Sequence, residues 1–469
     1  MNRIGLTRSN QDVLRNYLIM LLAHRIRLDP TDDQYAYFAC AAGTARRVWN
    51  WALAEWQRQV ANGQHPNAAS LKKQFNRIKY TDPDWLDTDG KPWIRSIHRD
   101  AHAQPFAHLA KAWSRYFEQR RACLPACLPR FKKKGRCPDS FYIANDKFRL
   151  EGRIAVLPKI GPVRLREALR WPGRILGASV SREADHWYLA IQVDVPEQVA
   201  CRSRSGDGIT GVDLGITSAA TLSNGEKIAA PRPLKAALRR LRIRARSLSR
   251  KLEAAKRANG IKGRLPKNIR LPMSKSRIKA TQVLERLHAR IACIRTDFIH
   301  KLTTRLCREN QAMVIEDLNV KGMLANQRLA RAIADVGFYE FRRQVQYKAV
   351  RYGTRTVLAD RWYPSSKMCS NCGARKRKLP LGQRIFSCDV CGIHRDRDLN
   401  AAINLERLAT GAPVAQMALP VASPTEMSNT DVGRLPTSGG KVTPVRCEHG
   451  QYDCSGQEEN LASVCTRFR

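Results

Sequence analysis

The chain has 469 residues, 43% of them hydrophobic, and carries 83 Lys and Arg against 41 Asp and Glu, a formal net charge of +42. This length predicts two or three folded domains. The excess positive charge makes nucleic acid the first partner to consider. An anionic membrane is the weaker alternative, because the longest apolar run near the N-terminus, residues 17–23, is too short to span a bilayer. We therefore expect a soluble intracellular protein without a membrane partner.

The N-terminal half reads as a strand, a helical region and then a β-region. "HRIRLDPTDDQ" (24–34) predicts a strand followed by a helix start. Apolar residues at spacings of three and four predict helices over most of 34–125. "PRFKKKGR" (129–136) is a basic loop, and alternating apolar residues predict strands between 140 and 200.

A new unit begins at residue 208, where "GITGVDLGITSAATLSNGEKI" predicts strand, turn and strand. Two helices rich in Arg and Lys follow at about 232–258 and 278–308, and "AMVIEDL" (312–318) predicts a short buried strand. Beyond residue 410 the chain is rich in Pro, Ser, Thr and Gly and has no apolar periodicity, which predicts a disordered tail.

Four cysteines have the spacing of a structural zinc site. They form C-x2-C-x15-C-x2-C and are Cys369, Cys372, Cys388 and Cys391. Each pair places two thiolates on one tight turn, and four thiolates complete a tetrahedral Zn²⁺ shell with no position left for water. We expect one structural Zn²⁺ here rather than disulfides, because metal ligation or burial suits a large, basic chain better.

Three carboxylates stand out near this motif. Asp213 and Glu316 each follow a run of apolar strand residues, and Asp398 begins the helix "LNAAINLERL". Taken singly, the first two are explained by solvation of a strand end and the third by helix capping. Taken together, they predict three oxygen donors at a sheet edge, which suit Mg²⁺. Two such ions beside a strongly basic surface would hydrolyse a phosphodiester, which indicates a nuclease.

Four segments in order resemble the RuvC-like nuclease of TnpB proteins, transposon-encoded RNA-guided DNA nucleases related to compact type V CRISPR effectors. The segments are "GVDLGI", "VIEDLNVKGM", "RWYPSSKMCSNCG" and "CGIHRDRDLNAAINL". "HRIRLDPTDDQ", "PRFKKKG" and "ASVSREADHWYLAIQVDV" are also similar to that family, so the resemblance covers roughly residues 23–408.

The resemblance implies an α+β multidomain fold. Its expected parts are a helical recognition domain, a small barrel-like wedge β-domain and an RNase H-like RuvC α/β nuclease domain with an inserted four-cysteine zinc ribbon. The expected bounds are an N-terminal extension at 1–19, the wedge-like domain at 20–33 and 126–205, the helical domain at 34–125, the nuclease domain at 206–361 and 396–410, the ribbon at 362–395 and the tail at 411–469.

The resemblance also assigns the catalytic acids and metal ligands, which are Asp213, Glu316 and Asp398, holding two Mg²⁺. Asp396 lies outside the matching position, and strand alternation turns Asp317 to the opposite face from Glu316. All three family acids are present, which disfavours a relative that binds nucleic acid without cutting it.

The expected partners are a structured guide RNA, the target double-stranded DNA and the guide–target heteroduplex, bound next to a short DNA motif. One protein per RNA is expected, with a dimer left open, in the cytoplasm of a prokaryotic cell on nucleoid DNA. The candidate nucleic-acid contacts are Arg46, Arg47, Arg130, Lys132, Lys133, Lys134 and Arg136. Two other functions stay open: a guide-bound repressor without cleavage, and a transposase that joins DNA strands.

Overall fold

The structure is a computed structural model that describes residues 19–266, 269, 271–380 and 382–410. The predicted tail, and the predicted N-terminal extension apart from Ile19, lie outside the described residues. Within these residues the chain forms a seven-stranded, a five-stranded and a two-stranded sheet with ten α-helices. None of the helices in this part of the chain is both long and apolar enough to cross a membrane.

The first sheet is wholly antiparallel, with strand order β2-β6-β7-β1-β5-β4-β3. Its strands are β1 (Ile19–Asp29), β2 (Ser140–Ala144), β3 (Arg149–Glu151), β4 (Ile154–Leu157), β5 (Gly161–Leu165), β6 (Arg174–Glu183) and β7 (His186–Pro196). β1 lies at the centre, although more than 100 residues separate it from its neighbours, pairing with β7 over residues 19–27. Along β7, Trp187, Leu189, Ile191 and Val193 are fully buried, as a strand with one core face requires.

Three helices follow β1 and pack as one cluster. They are α1 (Asp32–Ala61), α2 (Ala68–Ile78) and α3 (Arg99–Arg121). α1 begins at a capping box in which Thr31 and Gln34 bond each other's backbone amides. Trp49 and Trp85 are buried in this cluster, and Trp51 and Trp56 pack against it. Trp49 is therefore a core residue, and Trp51 and Trp56 lie partly buried against the same core.

The second sheet is mixed, with strand order β10-β9-β8-β11-β12. Its strands are β8 (Gly208–Asp213), β9 (Ser218–Leu222), β10 (Lys227–Ala229), β11 (Asn310–Glu316) and β12 (Arg355–Ala359). β8, β9 and β10 are antiparallel neighbours, whereas β11 runs parallel to both β8 and β12. Because β8 and β11 are parallel and adjacent, their carboxyl ends lie at the same edge of the sheet.

Helices cover both faces of this sheet. The remaining helices are α4 (Glu197–Ala200), α5 (Pro233–Ala258), α6 (Lys275–Glu309), α7 (Val320–Ala325), α8 (Ala330–Val336), α9 (Phe338–Tyr352) and α10 (Arg397–Thr410). On one face, Met313 and Ile315 of β11 pack with residues of α6 and α9. On the other face, Val314 packs with Leu405 of α10. The alternation along β11 thus places the sheet between two helical layers.

Candidate active site

Two of the three predicted acids lie together at the carboxyl edge of the five-stranded sheet. Asp213 is the last residue of β8 and Glu316 the last residue of β11. The residues before them, Val212 and Ile315, are register partners and fully buried. One residue further along each strand, the chain leaves the core, and Asp213 and Glu316 are each partly exposed as whole residues. The strand ends therefore place two carboxylates side by side.

The third acid, Asp398, is brought to this edge by α10. Helix α10 crosses β8 so closely that a Cβ added at Gly211 would lie 1.9 Å from the carbonyl oxygen of Ala402. Glycine at this position is what allows the helix to pack directly on the strand backbone. The first turn of α10, which contains Asp398, then lies beside Asp213 and Glu316.

The carboxylates act on one another electrostatically. Burial, followed by the negative charges of Glu316 and Asp398, raises the pKa of Asp213 to about 8 from an ordinary 3.8. Arg397 opposes this shift but does not cancel it. Burial and the neighbouring acids thus disfavour the ionised form of Asp213. A bound cation would offset this effect, so the three acids are a candidate cation site.

The neighbouring acids Asp396 and Asp317 are engaged elsewhere. Asp396 ends the short strand before α10; one of its oxygens accepts hydrogen bonds from the amides of Asp398 and Leu399 at 3.1 Å, and the other lies 2.6 Å from Lys227 Nζ. Burial raises the pKa of Asp396, but the hydrogen bonds from Lys227 and these amides outweigh it and hold the pKa below its usual value. Asp396 is therefore the N-cap residue of α10, and Asp398 is not.

Asp317 lies outside the cluster. It forms ion pairs with Arg342 and, at 2.9 Å, with Arg361. These ion pairs engage both carboxylate oxygens of Asp317.

The site is supported by one hydroxyl and two amide side chains that were not among the predicted site residues. Ser365 Oγ donates a hydrogen bond of 2.6 Å to Glu316 Oε1. On α10, Asn400 and Asn404 are fully buried and donate to the carbonyl oxygen of Met368 at 2.7 and 2.6 Å. Their signal in the sequence is two asparagines four residues apart on the core face of an Ala-rich helix, where an amide needs a specific partner.

The four predicted cysteines come together in one cluster. The two-stranded sheet of β13 (Ile385–Ser387) and β14 (His394–Asp396) carries the second pair on its turn, and the first pair lies on the turn at 369–372. All four Sγ atoms lie within 4.8 Å of one another; Cys369–Cys391 are 3.6 Å apart and Cys372–Cys388 3.5 Å. Tetrahedral Zn²⁺ with Zn–S bonds of about 2.3 Å needs thiolates ~3.8 Å apart, so the cluster fits zinc.

The two clusters differ in compactness. Among the described residues, the cysteines are the one group of three or more His, Cys, Asp or Glu side chains whose ligand atoms all lie within 4.8 Å. The three carboxylates are therefore spaced more widely than the thiolates.

The predicted nucleic-acid contacts fall into two groups. Arg46 forms a 2.6 Å ion pair with Asp139, which also binds Arg182, and Arg47 lies over the ring of Trp85. Both arginines thus have partners within the protein, and a nucleic-acid contact by either stays a prediction.

The basic loop is held against α1 while most of its charges face solvent. The side chain of Asn50 bonds the backbone N–H and C=O of Lys132, and Lys132 Nζ lies 4.1 Å from the centre of the Trp49 ring. Burial lowers the pKa of Lys132. The loop residues with exposed cationic side chains are Arg130, Lys133, Lys134 and Arg136. These four are better placed than Lys132 to reach phosphates.

A basic cleft of about 1220 Å³ separates β1 from helices α6 and α9. Its cationic lining includes Arg170, Lys301, Arg305, Arg308, Arg343 and Arg351. Trp171 and Tyr347 also line it. Cationic side chains interleaved with aromatic rings are the combination that binds phosphates and stacked bases.

Three family models match successive parts of the chain. They are described as "Helix-turn-helix domain" over residues 20–65, "Probable transposase" over 190–327 and "Cas12f1-like, TNB domain" over 338–405. The last range spans α9 to α10, including the cysteine cluster. The first range is not a helix-turn-helix in this structure, since it forms β1 and the single helix α1 with the first residues beyond it.

Relatives that align over most of this chain show the family to which it belongs. "Putative RNA-guided DNA endonuclease" of Streptomyces pristinaespiralis is 33% identical over 393 residues, covering 83% of this chain and 89% of its own length. The chain belongs to the TnpB family.

Other TnpB relatives agree with this assignment. "Putative RNA-guided DNA endonuclease MT2953" of Mycobacterium tuberculosis strain CDC 1551 is 31% identical over 82% of this chain and 86% of its own. "TnpB-like protein L79" of Acanthamoeba polyphaga mimivirus is 33% identical over 28% of this chain and 26% of its own. The predicted family is therefore confirmed, and so is a mixed α/β structure.

Proposed function

We propose that this protein is an RNA-guided DNA endonuclease that binds a structured guide RNA and cleaves matching DNA next to a short motif. The observation that carries the proposal is the convergence of Asp213, Glu316 and Asp398 at one sheet edge, from three distant segments of the chain. The relatives named as RNA-guided DNA endonucleases support it.

Asp213, Glu316 and Asp398 would hold two Mg²⁺ ions, which when bound activate a water and stabilise the leaving oxygen of the phosphodiester. The chain's own contribution is orientation and charge. The strands fix Asp213 and Glu316, and α10 fixes Asp398. Burial and the neighbouring acids raise the pKa of Asp213, so an added positive charge would stabilise its ionised form. Asp396 caps α10, so the first turn of α10 stays helical and holds Asp398 at the position from which it would bind the metal.

The sheet order supports an RNase H-like, RuvC-type nuclease domain formed by 206–361 and 396–410. Three antiparallel strands followed by two parallel strands, with acids at the carboxyl ends of β8 and β11, give such a domain its catalytic edge. The zinc ribbon of 362–395 is inserted before the third acid and leads through β14 directly into α10. Its Zn²⁺ would be structural, because four thiolates leave no ligand position for water.

The charge distribution supports a guide RNA between the wedge-like β-domain (20–33 and 126–205) and the nuclease domain. The basic cleft lies there, with β1 on one side and α6 and α9 on the other. The helical recognition domain (34–125) would flank the guide–target heteroduplex, whose sequence is read by base pairing. The exposed cations of the basic loop at 129–136 would contact phosphates beside it.

The test is to sequence the RNA that co-purifies with the protein and then assay Mg²⁺-dependent cleavage of a plasmid library carrying the matched target. Wild type and Asp398→Ala are compared. We expect a defined RNA with both proteins and guide-directed cuts only with wild type. A bound RNA without cuts from wild type would overturn the nuclease and favour a guide-bound repressor.

A transposase is the second candidate, because the family model that matches residues 190–327 is described as "Probable transposase". A transposase would join DNA strands, so the same reactions should be examined for strand-transfer products on DNA with supplied ends. Joined products that do not depend on the guide would favour the transposase. Cuts that move with a changed guide sequence would exclude it.

A further inference from the structure

The second acid, Glu316, is held by a side chain from outside the sheet. Ser365 Oγ lies 2.6 Å from Glu316 Oε1, across 49 residues of sequence. An ionised carboxylate only accepts hydrogen bonds, so the hydroxyl is the donor. We propose that Ser365 is a positioning residue for Glu316 that fixes one carboxylate oxygen and leaves the other for a divalent cation. This inference rests on the nuclease function proposed above.

Ser365 is itself held rigidly, which is what positioning requires. It is only 5% exposed. Its backbone N–H donates to the carbonyl oxygen of Tyr363 at 2.9 Å, and its carbonyl oxygen accepts from Asn404 Nδ2 at 2.8 Å. Pro364 precedes it and fixes its own φ, and the carbonyl oxygen of Pro364 accepts from the amides of Lys367 and Met368. The hydroxyl therefore bonds Glu316 from a turn whose backbone is held by these hydrogen bonds.

The same turn contacts the strand of Glu316, the helix of Asp398 and the base of the cysteine cluster. Asn404 lies on α10, the helix that carries Asp398, and also donates to Met368 next to the first zinc-site cysteine. Tyr363 OH returns a hydrogen bond to the carbonyl oxygen of Asn404 at 3.1 Å. One turn thus connects the strand of Glu316, the helix of Asp398 and the base of the cysteine cluster. Moving Ser365 would change the position of one acid relative to another.

The physical effect is on cation binding and cleavage together. A carboxylate whose rotamer is fixed loses less conformational freedom when it binds a metal. Loss of such an outer hydrogen bond weakens metal affinity or activity by about 10–100-fold in characterised sites. Ser365→Ala should therefore raise the Mg²⁺ concentration for half-maximal guided cleavage by about tenfold. Ser365→Thr, which keeps the hydroxyl, should restore most of the wild-type dependence.

A purely structural role for Ser365 makes different predictions, so the experiment measures zinc content, thermal unfolding and guide-RNA binding as well. If Ser365 only holds the turn, Ser365→Ala loses zinc or unfolds at lower temperature together with its activity. If it positions Glu316, these three properties stay at wild-type values. Ser366→Ala is the matched control, since Ser365 is the serine of this pair whose hydroxyl bonds Glu316.

A binding measurement gives a readout independent of cleavage. Mn²⁺ is titrated into the protein–guide complex and free Mn²⁺ is followed by electron paramagnetic resonance, for wild type, Ser365→Ala, Glu316→Gln and the double variant. We expect weaker Mn²⁺ binding in each single variant. The double variant should bind Mn²⁺ no more weakly than Glu316→Gln, because Ser365 acts through Glu316. Additive losses, or wild-type Mn²⁺ affinity in Ser365→Ala, would overturn the proposal.

Failure of the proposed function looks different. If wild type makes no guide-directed cuts, the nuclease proposal fails whatever the serine does. If wild type cuts, and Ser365→Ala cuts with unchanged Mg²⁺ dependence, only the positioning role fails.

Discussion

The acidic cluster and the cysteine cluster are neighbours in the structure, but they are assembled in opposite ways. The cysteines come from two tight turns within 23 residues, and their Sγ atoms lie within 4.8 Å of one another in the small ribbon around them. The acids come from segments up to 185 residues apart and are held by a sheet and a helix whose cores are apolar. The apolar cores of the sheet and helices therefore bring the acids together, whereas the short spacing within each turn does so for the cysteines.

The largest effect we predict distinguishes Asp398, the acid proposed to hold a metal ion, from Asp396, the acid that caps α10. Asp398→Ala should reduce guided cleavage by at least ~10³-fold while RNA binding and target binding persist, because the metal site loses a ligand. Asp396→Ala is the matched control: it removes the cap of α10 and about 1 kcal/mol of stability. Cleavage kinetics and thermal unfolding of both variants test this. Equal losses of activity would mean that the roles assigned to the two acids are wrong.

Breaking the cysteine cluster should affect structure first and activity second. Cys372→Ser removes one of four thiolates, so we expect loss of bound zinc and local unfolding of the ribbon, measured by elemental analysis and limited proteolysis. Guided cleavage should fall by about 10–100-fold, because the ribbon is continuous with α10. Cys293→Ser, at an exposed position on α6, is the control and should retain zinc. Full zinc content in Cys372→Ser would contradict the assigned ligand set.

The contact that brings α10 to the sheet can be tested at one glycine. Gly211→Ala places a methyl group against the backbone of Ala402, and overpacking of this kind costs about 1–3 kcal/mol. We expect a lower unfolding temperature and slower cleavage with unchanged zinc content. Gly208→Ala is the control in the same strand, where the added Cβ would meet only Asn310 Oδ1 at 3.7 Å. Wild-type behaviour of Gly211→Ala would show that α10 packs differently.

The smallest effect concerns pH. The raised pKa of Asp213 means that the metal-free folded state holds a proton that the unfolded state releases at lower pH. Its contribution to stability is complete below the ordinary value of 3.8 and is lost as pH rises to about 8. The unfolding temperature of metal-free wild type should therefore fall by a few degrees relative to Asp213→Asn across this range, measured by calorimetry. Mg²⁺ should reverse the difference, and its persistence in Mg²⁺ would indicate that the cation binds elsewhere.

Local sequence patterns were sufficient for the elements and for the identity of the candidate residues. The strand before Pro30, the long helices and the strands between 140 and 200 follow from apolar periodicity and turn residues, and the structure has them. Periodicity works here because each pattern reports burial on one face of one element. It gives no information on which elements become neighbours, so the pairing of β1 with β7 could not be read from either strand alone.

The supporting contacts could not be predicted for the same reason. Arg46 and Lys132 look like free cations in the sequence, yet Asp139 pairs with the first and the Trp49 ring covers the second. Ser365 stands in a quoted motif as one of two adjacent serines, and nothing local indicates that its hydroxyl bonds Glu316.

By itself, the sequence determined the cysteine cluster, because two-residue spacing within a turn already brings thiolates to one point. It also determined the three candidate acids, through strand ends, a helix start and the family pattern. Only the tertiary structure decided that Asp396 caps α10 while Asp398 is left for the cluster, and that Gly211 sets the approach of helix to strand. The approach of α10 to β8 depends on contacts between segments far apart in the chain, which form only when the apolar faces of the sheet and helices are buried together. The capping bonds of Asp396 are local, but Lys227 holds its other oxygen from 169 residues away.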